Sequence, residues 1–280
     1  MDISKPWEDL LRELTRREAV RVYVVGEPDS GKTTLCRFLV DALAGHAGAA
    51  AYLDCDPGQS TIGPPATIGL DRADGTRLLR FAGATSPQGY LLQNSRAIAD
   101  LARHSGRRHP LVIDSSGYVT DDAAREFQYT VVDLVRPDVI VALGSSDAVR
   151  EVCRSFGRTA SVRALPVSLA VRRRSSESRR AYREDRLGEY FRSATDVAIE
   201  RSSVGFTGRI PHGSADRMRD RLVGLLDEEQ LLLSLGLVAD TGPREDRLIV
   251  VARPIDPRRV CSLQFSHMRV DRSGRELHVE

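Results

Sequence analysis

The stretch that most constrains this 280-residue chain is Gly26-Glu27-Pro28-Asp29-Ser30-Gly31-Lys32-Thr33. It follows the apolar run Val22-Tyr23-Val24-Val25 and leads into Leu35-Cys36-Arg37-Phe38-Leu39-Val40. That is strand, glycine-bounded loop and helix, and it fits G-x-x-x-x-G-K-[ST] at every fixed position. Gly26 and Gly31 are expected to supply backbone angles that a side chain would forbid. Successive N–H groups then converge on an anion, with a helix N-terminus behind them. In that frame Gly26 to Thr34 would cradle the phosphates of a nucleotide. Lys32 would reach the β- and γ-phosphates, and the Thr33 hydroxyl would ligate Mg²⁺. Lys5 and Lys32 are the only lysines in a chain whose Lys plus Arg total is 41. Arginine carries almost all the positive charge, yet lysine stands where a compact ammonium suits a phosphate.

Composition narrows the rest. A net charge of +2 excludes a global polycation, so any nucleic-acid contact must be local. No uninterrupted apolar stretch approaches the roughly 20 residues that cross a bilayer, and Met1 to Glu18 lacks a signal-like apolar region. Cys36, Cys55, Cys153 and Cys261 are scattered, with no C-x-x-C spacing. They read as reduced thiols, and a cytoplasmic location is expected. The histidines form no cluster of zinc-site spacing.

Read in order, residues 7–18 suggest an amphipathic helix. Ala49 to Leu53 is a buried strand that ends in Asp54-Cys55-Asp56-Pro57-Gly58-Gln59-Ser60. Ligands gather at the carboxyl ends of strands in open α/β sheets. Asp54, Asp56 or both would handle Mg²⁺ or take a proton from an attacking hydroxyl, and Gln59 would orient the nucleophile. Residues 62–70 form a proline-stiffened extended segment, and Thr76 to Phe81 a strand. Gly83-Ala84-Thr85-Ser86-Pro87 then opens a helix expected at about Pro87 to Ala102, whose start could bind a substrate phosphate through Thr85 and Ser86 or simply be a capped helix. Pro110 to Asp114 is a buried strand ending in a second Mg²⁺-directed carboxylate. Ser115-Ser116-Gly117-Tyr118 follows, with Tyr118 either stacking on a base or filling core. Helices at Asp122–Val135 and Asp147–Phe156 alternate with strands at Asp138–Leu143 and Ser161–Leu165, which implies right-handed crossovers and a parallel sheet.

From Arg172 to Arg192 the chain is rich in arginine. Arg179, Arg183 and Arg186 fall at i, i+4 and i+7, on one face of a helix anchored by Leu187, Tyr190 and Phe191. This suits a lid over transferring phosphates, or a solvated face paired with Glu177, Glu184, Asp185 and Glu189. Beyond Arg201, strand-like runs at Arg221–Leu226, Arg247–Ala252 and Val260–Phe265, with a last one at Glu276–Val279, indicate a small β-rich subdomain. The expected fold class is α/β: a P-loop NTPase core with a mainly parallel sheet, a helical arginine lid at about 172–192 and a small, mostly β C-terminal part. The expected division is an N-terminal helix (1–20), a kinase domain (21–200) and a C-terminal subdomain (201–280).

These motifs, in this order, resemble the polynucleotide 5′-hydroxyl kinases of the Clp/Grc type, which act in RNA processing. Asp54-Cys55-Asp56-Pro57-Gly58-Gln59 is similar to that family's acidic-x-Asp-x-Gly-Gln, and Gly83-Ala84-Thr85-Ser86-Pro87 to its Gly-x-Thr-Ser-Pro. The Arg183/Arg186 helix ending in Tyr190-Phe191 completes the match. The resemblance implies ATP and Mg²⁺ at Lys32 and Thr33; Asp54, Asp56 and Asp114 are metal-directed on their strand-end positions alone. It implies Asp56 as general base, Gln59 on the substrate, and Arg179 and Arg183, with Arg186 as a further candidate, on the γ-phosphoryl group. Ser116-Gly117-Tyr118 falls where the family clasps the terminal nucleotide with Thr-x-Gly-Trp; here Ser115 and Tyr118 replace Thr and Trp. The implied partners are 5′-OH ends of RNA or DNA. A nucleoside-type small-molecule kinase and a nucleotide-switch or assembly ATPase are the alternatives.

Overall fold

A computed structural model describes residues 4–211, 217–241 and 246–277 of the chain. Its contacts divide the chain into two compact units, one of Met1–Asp56, Ile68–Leu78 and Ser86–Arg174, the other of Pro57–Thr67, Leu79–Thr85 and Ser175–Glu280.

The first unit is built on a parallel sheet. Its strands are β1 (Arg21–Gly26), β2 (Ala51–Asp54), β3 (Thr67–Asp71), β4 (Arg77–Phe81), β5 (Leu111–Asp114), β6 (Val139–Leu143) and β7 (Ser161–Leu165). They lie in the order β4-β3-β2-β5-β1-β6-β7. The pairs β2–β5, β5–β1, β1–β6 and β6–β7 are parallel, and β2–β3 is antiparallel. Every residue of β1, β2, β5 and β6 is buried, as strands covered on both faces require. The helices are α1 (Lys5–Leu14), α2 (Lys32–Ala47), α3 (Leu91–His104), α4 (Asp122–Val135) and α5 (Asp147–Phe156). Asp121 caps α4 by accepting from the Ala124 N–H at 2.7 Å. The buried Arg21 guanidinium donates to Val135 O at the end of α4, and to Ala102 O and Gly106 O at the end of α3. It thereby satisfies carbonyls that the helices leave open.

Three expectations change here. Helix α3 starts at Leu91, not Pro87, because Gly89 has φ 77° and the preceding residues close a turn from Tyr90 N–H to Pro87 O. Helix α1 ends at Leu14 rather than running to residue 18. The extended segment 62–70 contains β3, which the prolines on its N-terminal side obscured.

The second unit contains α6 (Ser176–Phe191) and an antiparallel sheet of β8 (Thr195–Glu200), β10 (Arg221–Leu226), β11 (Leu232–Thr241), β12 (Arg247–Ala252), β13 (Ser262–Val270) and β14 (Glu276–Leu277), with β9 (Gly205–Gly208) running parallel to β13. The strand order is β14-β13-β10-β11-β12-β8. Val197, Ile199, Val223, Leu225, Leu248, Val250 and Phe265 form its core. The last strand reaches Leu277 in the described residues; the rest of the stretch expected up to Val279 lies outside them. Among the described residues no helix is long and apolar enough to cross a membrane.

Candidate active site

Strand β1 delivers the chain to the glycine-bounded loop at the carboxyl edge of the parallel sheet. Gly31 has φ 91° and begins α2, whose N-terminus has no side-chain cap, so its first N–H groups suit an anion. Gly26 serves a different purpose from the one expected. It has no positive φ; a Cβ there would lie 2.7 Å from Ser30 Oγ and 2.8 Å from Leu143 O, so the need is close approach. The Lys32 ammonium is buried and donates to Gly26 O at 2.9 Å and Glu27 O at 2.8 Å. Burial pulls its pKa below the ordinary lysine value, against the charges of Asp114 and Asp56. Ser30 Oγ is buried with no hydrogen-bond partner in the described residues. Asp29, at φ 54°, accepts from the Arg174 N–H at 2.9 Å and its Nε at 3.2 Å. Glu27 and Gly31 are half-buried; Pro28 and Thr34 are exposed.

Two carboxylates close the strand ends beside this loop. Asp54 and Asp114 are register partners across β2 and β5, and each is 2% exposed. Asp114 Oδ2 accepts from Thr33 Oγ1 at 2.7 Å and from the Tyr52 hydroxyl at 3.0 Å, while Oδ1 is buried and has no hydrogen-bond partner among the described residues. Burial raises the Asp114 pKa above the ordinary carboxylate value; the Lys32 charge and the two hydroxyl donors oppose the rise. Asp54 Oδ1 accepts from the Asp56 N–H at 3.1 Å, and the Asp56 side chain is half-buried. No cluster of three or more His, Cys, Asp or Glu able to hold a metal exists among the described residues. A hydroxyl hydrogen-bonded to a carboxylate with a spare buried oxygen does fit Mg²⁺, a cation that binds through few protein oxygens and keeps its waters. Thr33 would hold it, with Asp114 and Asp54 as its carboxylate neighbours.

The Ser115–Tyr118 loop leaves β5 next to these groups. Tyr118 is half-buried and does not fill the core. Its hydroxyl donates to Asp121 Oδ1 at 2.9 Å, and it lines a cavity of about 460 Å³ with Gln88, Leu91 and Asp122. Ser116 is buried and its Oγ accepts from the Tyr118 N–H at 3.3 Å, which shapes the turn. A Cβ on Gly117 would meet Pro28 backbone at 3.0 Å, so this loop and the phosphate loop touch main chain to main chain. Ser86 is exposed, and its Oγ accepts from Gln88 N–H within the turn before α3 rather than capping the helix.

The second unit holds Gln59, Thr85 and the arginine helix. Ser175 caps α6 by accepting from Ser178 N–H at 3.1 Å. Arg179, Arg183 and Arg186 are half-buried on one face, whereas Arg180 is exposed and pairs with Glu184 at 2.9 Å. Charge pairing with carboxylates of the same helix reaches the first face as well, where Arg186 lies 3.6 Å from the exposed Glu189. Tyr182 OH donates to Ser60 O at 3.2 Å and Arg186 to Gly63 O at 3.4 Å, so α6 holds the segment that follows Gln59. Gln59 is half-buried, with Nε2 donating to Gly58 O. The far end of α6 is pinned to the sheet. Tyr190 OH lies 3.1 Å from Ser234 Oγ and accepts from the Leu235 N–H, and the Arg253 guanidinium sits 4.1 Å over the Tyr190 ring. A Cβ on Gly274 would come within 2.1 Å of Glu184 O. Ser266 Oγ donates to Gly83 O and so braces the loop leading to half-buried Thr85. Tyr52 and Ser266 were not singled out from sequence; Arg174 entered only within the arginine-rich stretch and Gly274 only as the end of the turn signal Asp271-Arg272-Ser273-Gly274. The local signal for Tyr52 was its position two residues before Asp54 on an apolar strand.

Residues 26–193 match the family described as mRNA cleavage and polyadenylation factor CLP1 P-loop. The chain is 24% identical to a polyribonucleotide 5′-hydroxyl-kinase of Methanocaldococcus jannaschii, over 93% of this chain and 90% of that protein. It is 27% identical to one of Thermococcus kodakarensis, over 91% and 89%. A CLP1 homolog of Nematostella vectensis is 29% identical over 68% of this chain and 50% of its own length. Among solved structures, a chain of the wild-type Clp1p–Pcf11p complex superposes with a TM-score of 0.75 at 14% identity, covering 95% of this chain and 79% of that one, which establishes a shared fold.

Proposed function

Because the chain belongs to the CLP1 P-loop family, whose match takes in most of it, we propose that it is a polynucleotide 5′-hydroxyl kinase. It would move the γ-phosphoryl group of ATP to the 5′-OH of a nucleic-acid end. RNA is the favoured acceptor class, following the archaeal relatives named polyribonucleotide 5′-hydroxyl-kinases. The observation that carries this reading is the arrangement at the strand ends. A buried ammonium on a glycine-bounded loop shares one compact unit with a carboxylate-bonded hydroxyl and the half-buried Asp56.

The chemistry follows from those groups. Main-chain N–H groups of the Gly26–Thr34 loop, Pro28 excepted, and the Lys32 ammonium hold the phosphates of the donor. Bound Mg²⁺ supplies charge neutralisation at those phosphates, as it does in phosphoryl-transfer enzymes generally. Asp56 accepts the proton of the 5′-hydroxyl as its oxygen bonds to the γ-phosphorus and the bond to the ADP oxygen breaks. Gln59 orients the acceptor. Ser116, Gly117 and Tyr118 form the clasp on the terminal nucleotide, and Tyr118 stacks on its base. Thr85 and Ser86 contact the acceptor strand. Arg179, Arg183 and Arg186 supply positive charge for the transferred phosphoryl group. A cytoplasmic location accords with four cysteines that form no disulfide.

The test offers γ-labelled ATP with 5′-OH RNA, 5′-OH DNA and a nucleoside in parallel. Label is expected on the RNA end, and replacing Asp56 by Asn should slow its transfer by about 10²- to 10⁴-fold, the usual worth of a general base. Equal labelling of the free nucleoside would favour a small-molecule kinase. ATP hydrolysis with no labelled acceptor would point to a nucleotide switch.

A further inference from the structure

Gln128 has no part in the chemistry just described, yet it is completely buried on α4 and every hydrogen-bonding atom of its amide is engaged. Its Oε1 accepts from the Tyr23 hydroxyl at 2.5 Å. Its Nε2 donates to Tyr118 O at 2.9 Å and to Ser116 O at 3.3 Å. The Tyr23 hydroxyl can only satisfy an acceptor by donating, and two carbonyls need donors, so the amide has one permitted orientation. Tyr23 is itself 1% exposed on β1, three residues before Gly26. The two carbonyls flank Gly117, the residue whose backbone lies against Pro28 of the phosphate loop. The Tyr118 ring is held from the same helix, since its hydroxyl bonds to Asp121, the N-cap of α4. Both ends of Tyr118 are thus fixed by α4, the ring by Asp121 and the main chain by Gln128.

We propose that Gln128 is a positioning residue for acceptor binding, one that sets the Ser116–Tyr118 loop at the height where Tyr118 receives the terminal nucleotide. This rests on the kinase reading for its substrate and on the buried amide network for its geometry. An apolar isostere would take from Tyr118 O its amide donor and leave Ser116 O and the Tyr23 phenol with Ser115 as their remaining neighbour in a dry site. The loop would then gain freedom, while the phosphate loop keeps its own contacts. The residue acts through the loop and touches no reacting atom.

The experiment compares wild type, Gln128→Met and Tyr23→Phe. With a 5′-OH RNA oligomer, Gln128→Met is expected to raise the acceptor KM about tenfold and leave the ATP KM within about twofold. Tyr23→Phe keeps both carbonyl bonds and should raise the acceptor KM less, about threefold. If Gln128→Met does not fold, Tyr23→Phe carries the kinetic test alone. A second readout does not need turnover. In a Trp7→Phe/Tyr118→Trp background, the only indole sits in the loop, and adding Gln128→Met or Tyr23→Phe should lower its fluorescence anisotropy. An unchanged acceptor KM, or equal rises in both KM values, would overturn the proposal, as would unchanged anisotropy. Failure of wild type to label any RNA end would count against the kinase reading, and the anisotropy would still decide whether Gln128 holds the loop.

Discussion

The two sheets treat charge in opposite ways. Where β1, β2 and β5 end, carboxylates surround one buried lysine: Asp54 and Asp114 are 2% exposed and Lys32 is 7% exposed. Burial disfavours the charged form of both Lys32 and Asp114; their mutual attraction opposes it, helped at Lys32 by Asp56 and at Asp114 by the Thr33 and Tyr52 hydroxyls. A chain built for stability alone would not place ionisable groups there. The antiparallel sheet has an apolar core, and its charged groups lie towards the surface, where arginines stack, cap and brace. The first region gives up stability to hold a site; the second spends its polar groups on fixing one helix. The contrast teaches where a substitution should move activity and where it should move folding.

The largest expected effect lies in the first region. Lys32→Met should reduce phosphoryl transfer by about 10³-fold or more, because it removes positive charge from the transferring group. The same change relieves the burial of the ammonium but takes from Asp114 its opposing charge and from Gly26 O and Glu27 O their donor, so the net shift in melting temperature should be small. Steady-state assay and calorimetry on one preparation check both halves. A large loss of stability would erase the contrast between the two sheets.

The second region should respond the other way. Gly274 has φ 88°, and a Cβ there would lie 2.1 Å from Glu184 O and 2.4 Å from Gly188 N, both backbone atoms of α6. Gly274→Ala cannot be accommodated by a rotamer, so the cost is expected at about 2–4 kcal/mol by denaturant unfolding. Loss of kinase rate should follow displacement of Arg183 and Arg186, with nucleotide binding retained. If stability is unchanged, α6 is not pinned by the turn at residues 271–274.

How much of this was legible follows the same divide. The phosphate loop, the strand ends at Asp54 and Asp114 and the helix at Asp122–Val135 are set by local pattern: apolar runs, a fixed glycine spacing, an aspartate cap. They could be read directly. The start of α3 was misplaced because Pro87 gave a stronger start signal than Gly89 gave a stop. Leu235-Gly236-Leu237 of β11 is similar to the family's C-terminal strand pattern, but strands β8 and β9 passed unread, since β8 alternates in burial with charged residues and pairs with β12 some fifty residues away. The roles of Gln128, Ser266 and Gly274 depend on contacts between residues far apart in sequence, and no local pattern announces them.

A smaller effect is expected at the end of α6. Tyr190→Phe removes a hydroxyl that accepts from the Leu235 N–H and bonds to Ser234, and leaves the ring under Arg253 in place. The expected loss is about 1 kcal/mol, the net worth of such a bond plus one poorly paired amide. Hydrogen exchange at the Leu235 amide should speed up while exchange in β1 and β5 stays the same. Faster exchange in both sheets would mean that the effect is not local to the second unit.

The smallest effect tests whether the surface charge of the antiparallel sheet matters at all. His267 is exposed on β13, and its pKa lies below the ordinary value of 6.5 because of partial burial and the charges of Arg209 and Arg221, with Glu276 opposing. Arg221 also donates to His267 O, which keeps that guanidinium close. With the folded pKa depressed, the unfolded chain binds the proton more readily. Stability should therefore be unaffected above about pH 7.5 and decline as pH falls through the unfolded value of about 6.5. The decline should flatten once pH is below the folded value, where both states are protonated. His267→Gln abolishes the titration, so the variant should gain on wild type only on the acid side. Because the ring is largely exposed, solvent screening keeps the gain below the Tyr190 effect. Melting temperatures of both proteins measured from pH 5 to 8 at low and high salt check the sign. A gain that appears on the alkaline side, or one that salt does not reduce, would show that the arginine field at His267 does not set its titration.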